Sequence, residues 1–438
     1  MRHQLSIVYF LGLLLCSQSG NAQDSLFTLN EVWGKAIEHN KELRFSRLEV
    51  SKGEVLLKDA KSERLPEINV NGSYSRLTNM PIYENGIFHR PTIAPVINQS
   101  YSIGAEASLH LYQGGKTRRE ISIKKVELEA TVNLQQLSLA DVKFKSASCF
   151  YELIRNLQLK KLTVQEIVYE EKQLTEIGHL YKNGTILKSD VLRAELKISN
   201  QKMLLSEIEN NISLSVQQLN IIMGRADQAP LNPAVENIEL VEPYALSYED
   251  YLAIAYKNSF ELGLSKNAVA LSNLNLQQVK SNILPKVDFF TSYGYSYPQS
   301  QFYPYSDALF GIGQAGVKVS MPISGLYLNK YKKEAAVLKR NEQVVHHEIK
   351  QDEIRNGVRA AYLHYTEALE RIEVAKKNIT QATEALRILK VSYFNQQSLL
   401  TDLLDAETQL LQSKFDLTSA QVGAQVQFYE LQRIVGKI

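Results

Sequence analysis

The sequence predicts a mainly α protein with membrane β strands, built as two tandem repeats, each a β-hairpin joined to long coiled-coil helices. Three observations carry this expectation. The chain is written twice, four segments alternate with period two, and two proline-free stretches of about 65 residues keep a helical rhythm. With 438 residues, 22% charged and 44% hydrophobic, and only 11 Pro and 21 Gly, the chain is an ordered one. Its net charge of +2 is nearly balanced and gives no argument for a nucleic-acid partner.

At the start, Arg2 and His3 precede the apolar run Leu5 to Leu15, and Gly20-Asn21-Ala22 offers small residues for cleavage. Residues 1–22 therefore read as a secretory signal, since the run is too short to anchor a membrane. Cys16 lies inside it, preceded by Leu15 rather than by the small residue that lipid attachment wants. Cys149 is then the only mature cysteine, so no disulfide or cysteine-based metal site forms within one chain. No later apolar stretch is long enough for a membrane helix; any crossing must use strands.

The duplication sets the organisation: repeat 1 over 23–224, a connector over 225–245 rich in proline, and repeat 2 over 246–438. Ala36 and Leu43 recur as Ala255 and Leu262, Leu65-Pro66 as Leu284-Pro285, and Tyr74 as Tyr293. After one shortening of the offset, Gly104 matches Gly316, Tyr181 matches Tyr393, Asp190 matches Asp402 and Gly224 matches Gly436.

Strands are expected at about 67–77 and 99–112, and again at about 286–298 and 311–323. In the second of these Tyr101, Ile103, Ala105, Ala107 and Leu109 alternate with Ser102, Gly104, Glu106, Ser108 and His110. Strict alternation over about ten residues suits a lipid-spanning strand, apolar outward and polar toward water. A soluble sandwich also alternates, but needs more strands than these. The long loops Thr78 to Asn98 and Gln299 to Leu309 favour the membrane reading. Barrels start at about eight strands, so several copies must share one.

Helices are expected at about 29–62, 117–182 and 190–223, then at about 247–282, 329–394 and 402–435. The longest pair would each run about 100 Å at 1.5 Å per residue. Val358, Ala361, Tyr365, Ala368, Ile372, Ala375, Ile379 and Ala382 recur three and four apart, as do Leu403, Ala406, Leu410, Ser413 and Leu417. That sustained stripe is a coiled-coil seam.

The helical hairpins turn between Tyr181 and Asp190 and between Tyr393 and Asp402. Ser189 and Thr401 suit the N-cap of the following helix, and each next aspartate complements its dipole. Asp402 and Asp405 also share a helix face, and copied around a threefold axis would make an acidic ring able to bind cations and narrow a pore. Capping alone also accounts for Asp402. The first repeat offers Asp190 with Arg193, a self-compensating pair.

The doubled pattern, LHLYQGGKTRREI after the second strand and YFNQQSLLTDLLDAETQLLQSKFDL at the second tip resemble the TolC-like outer-membrane efflux factors from Leu29 to Ile438. The resemblance implies a homotrimer in outer-membrane lipid, sharing a 12-stranded barrel and an α-helical periplasmic tunnel. It implies cargo delivered by an inner-membrane transporter of RND, ABC or MFS type through a periplasmic adaptor. Carried over by position, Asp402, Asp405 and Tyr393 line the periplasmic constriction together with Ser398, Tyr393 within its hydrogen-bond network. The adaptor would dock on Asn183, Gly184, Thr185, Ile186 and Leu187 and on Asn395, Gln396, Gln397, Ser398 and Leu399. Two departures stand out: Gln396 replaces a glycine, and Ser398 an arginine that helps latch the closed state in the best-known members.

No catalytic set is recognisable, and no cofactor is expected. His346-His347-Glu348 lacks the spacing of a zinc motif and reads as a solvated helical face. Gly114-Gly115 reads as a strand-to-helix turn. The expected function is a passive exit duct of an efflux or type I secretion system; the alternative is a non-conducting, envelope-spanning coiled-coil scaffold.

Overall fold

The structure, a computed structural model, describes residues 26–234, 246–299 and 306–438. The expected signal at 1–22 lies outside them, as do residues 235–245 of the connector and 300–305 of the second strand loop. The described residues fall into two units, one within Met1–Phe45, Gln136–Ser259 and Glu353–Ile438, the other within Ser46–Gln135 and Phe260–Asp352.

Repeat 1 contains β1 (Leu26–Phe27), α1 (Leu29–His39), α2 (Lys41–Ser62), β2 (Glu67–Arg76), β3 (Met80–Ile82), β4 (Thr92–Ala94), β5 (Gln99–Gln113), α3 (Lys116–Lys182) and α4 (Lys188–Ile222). After β6 (Asn232–Pro233), repeat 2 gives α5 (Tyr248–Asn258), α6 (Phe260–Lys280), β7 (Lys286–Tyr297), β8 (Phe310–Ser320), α7 (Gly325–Leu328), α8 (Lys330–Phe394) and α9 (Leu400–Ile434).

The single helices expected at about 29–62 and 247–282 are each broken in two. Asn40 turns extended (φ −63°, ψ 132°), and its Oδ1 accepts the N–H groups of Glu42 and Leu43 at 2.9 and 3.2 Å, capping α2 as α1 ends. Its Nδ2 donates to the Ile222 carbonyl at 3.0 Å, tying the break to the end of α4. Ser259 breaks the second repeat in the same way (φ −60°, ψ 121°). The apolar rhythm runs on through both breaks, which is why periodicity alone joined the halves.

The second unit holds a four-stranded antiparallel sheet in the order β2-β5-β7-β8. Its central pair, β5 with β7, joins the hairpins of the two repeats, with Ala105 opposite Tyr293 and a bulge between His110 and Tyr112. Because opposed residues share a face, the alternation becomes two surfaces. One is apolar and exposed, through Val70, Tyr74, Val317 and Val319. The other is polar: Asn71 donates to Glu106 at 3.2 Å, Ser73 and Ser102 Oγ lie 2.8 Å apart, and His110 Nδ1 lies 2.6 Å from Asp288. On β8, Gly313 and Gly316 lie beneath the rings of Tyr293 and Phe290, where an added Cβ would come within 2.8 and 3.0 Å of ring carbon. Strands β2 and β8 keep one unpaired edge each among the described residues.

Two small pairings were not foreseen. β3 pairs with β4 inside the first strand loop, and β1 pairs in parallel with β6. The second brings Phe27 and Leu231 into a core with Val32, Phe150, Leu153 and Leu219.

In the first unit the seam of α8 is buried from Val358 through Ala361, Tyr365, Ala368, Ile372 and Ala375 to Ala382. α4 and α9 end alike. Gly224 (φ +67°) and Gly436 (φ +71°) donate back to Ile221 and Arg433, and the next residues to Asn220 and Gln432, which is the Schellman arrangement. A Cβ on Gly224 would sit 2.8 Å from His39 Cβ, and one on Gly436 only 2.6 Å from the Asn258 carbonyl oxygen. Each repeat therefore closes its last helix onto its own first.

His346 and Glu348 are exposed, whereas His347 between them is half-buried. Its Nδ1 lies 2.7 Å from Ser265 Oγ, and Gln351 Nε2 lies 3.1 Å from its Nε2. The ring is a structural link between α6 and α8.

Candidate functional site at the hairpin tips

Both hairpins leave their first long helix through the same turn. Gly184 (φ +73°) donates to the Tyr181 carbonyl at 2.9 Å and Thr185 to Leu180 at 3.0 Å; Gln396 (φ +59°) donates to Tyr393 at 2.9 Å and Gln397 to Ser392 at 2.8 Å. This geometry wants glycine, which the first repeat supplies. Gln396 holds it with a side chain, a left-handed conformation that costs an L-residue about 1–2 kcal/mol.

The next helices start earlier than Ser189 and Thr401 would place them. Leu187 and Leu399 are the N-caps, extended at ψ 153° and 155°. A leucine has no oxygen to offer the helix, so the third helical residue supplies the contact: Asp190 Oδ2 accepts the Leu187 N–H at 3.3 Å, and Asp402 Oδ2 the Leu399 N–H at 3.1 Å. Asp402 is thus a capping carboxylate, and it stays exposed beside Asp405. One oxygen of Asp402 serves the cap, and both aspartates remain exposed.

Tyr393 is half-buried, and its Oη makes no hydrogen bond among the described residues. The described residues of a single chain thus supply no hydrogen-bond partner to this hydroxyl. Burial, and then the negative charge of Asp190, push its phenol above the ordinary range. Ser398 Oγ donates to the Leu389 carbonyl at 3.4 Å. Among the expected docking residues, Asn183, Gly184, Thr185, Asn395, Gln396 and Gln397 are exposed. Leu187 and Leu399 are the apolar points, 71% and 70% exposed. Ile186 is not free: it packs on Ile177, Ala194, Leu400 and Leu403, a core drawn from both repeats.

Directly behind these tips lies a buried charge cluster that sequence reading missed. Lys197 Nζ on α4 is 2.9 Å from Glu407 Oε2 on α9 and 3.2 Å from Glu170 Oε1 on α3. It also donates to the Leu404 carbonyl at 3.3 Å, while Gln173 Nε2 donates to Glu407 Oε1 at 2.9 Å. The side chains of Glu407 and Glu170 are 1% and 3% exposed. Removing one partner from such a buried ion pair costs about 3–5 kcal/mol, because the other charge is stranded. A signal was present: Leu400, Leu404, Glu407 and Leu411 step four, three and four along α9, so Glu407 occupies a second seam.

Comparison with known proteins agrees with this anatomy. The family model described as outer membrane efflux protein matches residues 32–225, the span of the first repeat. The outer membrane protein TolC of Escherichia coli (strain K12) is 23% identical over 466 aligned residues, covering 100% of this chain and 87% of that protein. Its counterpart in Salmonella enteritidis is 23% identical over 440, covering 96% and 83%. Among solved structures, CusC superposes with a TM-score of 0.80 at 16% identity, covering 93% of this chain and 92% of that one. The outer-membrane channel OprN gives 0.77 at 16% identity, covering 94% and 90%. The open-state Neisseria gonorrhoeae MtrE outer membrane channel gives 0.76 at 18%, covering 93% and 88%. Residues 32–225 thus match the outer membrane efflux protein family, the second repeat follows the same hairpin plan, and nearly the whole chain has the fold of these channels.

Proposed function

We propose that three copies close one 12-stranded barrel in outer-membrane lipid and continue as a helical tunnel in the periplasm. The duct is passive and carries cargo out of the cell. One observation supports this above the others: the sheet has four strands, two unpaired edges and an exposed apolar face, so it is incomplete in a single chain. Cargo arrives from an inner-membrane transporter of RND, ABC or MFS type, handed over by a periplasmic adaptor seated on Leu187 and Leu399. Asp402 and Asp405 supply the exposed carboxylates of an acidic constriction.

Conductance across planar bilayers tests the duct. The reconstituted protein should conduct with a preference for cations, and Asp402→Ala with Asp405→Ala should reduce that preference at least about threefold, as loss of an acidic ring predicts. Silence from both proteins would favour a non-conducting scaffold.

Docking has its own test. Leu187→Glu with Leu399→Glu should weaken capture of the adaptor at least tenfold, equivalent to about 1.4 kcal/mol, while trimers persist. Normal export by that variant would place the docking surface elsewhere.

A further inference from the structure

The acidic pair of the second repeat is held by a cation of the first. Glu407 lies two residues beyond Asp405, and Leu404 lies between Asp402 and Glu407; Lys197 binds the carboxylate of the one and the carbonyl of the other. The turn of α9 that carries Asp402 and Asp405 is thus pinned, backbone and side chain, from α4. We propose that Lys197 is a positioning residue for the Asp402–Asp405 pair, and that Glu170 makes its hold proton-dependent by competing with Glu407 for the same ammonium. The functional side of this proposal rests on the channel reading of the tips.

The competition follows from the arrangement. One ammonium lies within ion-pair distance of two carboxylates on different helices, and Glu170 Oε2 is buried with no hydrogen-bond partner among the described residues. With Glu170 protonated, Lys197 and Glu407 form a matched pair. With Glu170 ionised, α3 draws on the same cation and the grip on α9 slackens. The other charged or titratable groups facing the cluster are Glu166 on α3, Lys414 on α9 and Lys390 on α8, whose ammonium lies 3.2 Å from Tyr169 Oη. Burial raises the Glu170 carboxyl above the usual carboxylate range, against the opposing pull of Lys197; burial likewise raises Glu166. A carboxyl raised on folding contributes stability that is present at low pH and lost as pH rises through its folded value. The hold on α9 should therefore tighten as pH falls.

Amide hydrogen exchange on the full-length trimer in detergent, corrected for intrinsic rates, reads the hold directly. As pH is lowered, protection of the Leu403–Glu407 amides should rise severalfold. Lys197→Met should lower it about tenfold and remove its pH dependence, Lys197→Arg should restore it, and Glu170→Gln should keep it high throughout. Unchanged protection in Lys197→Met, or a pH dependence that survives Glu170→Gln, would overturn the proposal. If Lys197→Met yields no trimers, the Arg and Gln variants still decide. Bilayer conductance of the same proteins separates the two claims. Altered exchange in Lys197→Met, with silence from wild type and Asp402→Ala/Asp405→Ala alike, would uphold the positioning and remove the channel.

Discussion

Arginine at Val70 should abolish assembly of the protein into the outer membrane, whereas arginine at the adjacent Asn71 should be tolerated. Val70 lies near the middle of β2, 70% exposed on the apolar face, in register with Ala105. Asn71 points the other way and binds Glu106 at 3.2 Å, an acid that arginine could also engage. A cation at the lipid-facing midplane of a β-barrel costs about 2–4 kcal/mol, while positions facing the lumen are far less restrictive. In an assembly that repeats the change in every copy, the cost multiplies. The readout is trimer recovered from outer-membrane fractions, or folding yield into lipid vesicles. Equal yields from the two variants would show that the two faces do not differ in their exposure to lipid.

Gly436→Ala should destabilise the helical unit more than any other single methyl added at a turn glycine. Its left-handed backbone, φ +71°, costs alanine about 1–2 kcal/mol. Its Cβ would also fall 2.6 Å from the Asn258 carbonyl oxygen, a backbone atom that cannot rotate aside, and such overpacking adds about 1–3 kcal/mol. Gly184→Ala is the control: φ is +73°, but an added Cβ meets nothing within 4 Å, so only the conformational cost applies. Thermal dissociation of detergent-solubilised trimers should separate the two variants clearly. Identical losses would mean that the close approach of Gly436 to Asn258 carries no weight.

The parts of this fold that sequence reading reached are those whose geometry is itself a period. Alternation from Tyr101 to His110 is a strand because side chains flip at every residue, and the seam from Val358 to Ala382 is a helix because they return every three or four. Position-by-position duplication then let each half confirm the other. What escaped depends on residues far apart in the chain. Asn40 breaks a helix whose apolar rhythm never falters, because its two hydrogen-bond partners in α2 and its third at Ile222 outweigh continuity. Lys197, Glu170 and Glu407 each pass for ordinary surface charges until α3, α4 and α9 are brought together. The N-caps escape for a local reason: polar side chains favour that position and leucine does not, yet here the aspartate three residues on supplies the missing contact.

The four strands per chain carry a consequence for how copies meet. Directions alternate from β2 through β5 and β7 to β8, so the first and last strands run opposite ways. When β8 of one copy lies beside β2 of the next, the seam is therefore antiparallel like every other junction, and the ring shows no discontinuity where one polypeptide gives way to another. An odd number would have forced a parallel seam at each boundary. The contact is also heterologous, one edge meeting a different edge, so nothing in the seam itself counts the members. Gly313 and Gly316 of β8 lie beneath the rings of Tyr293 and Phe290, and glycine is one of the features that lets a closing sheet curve.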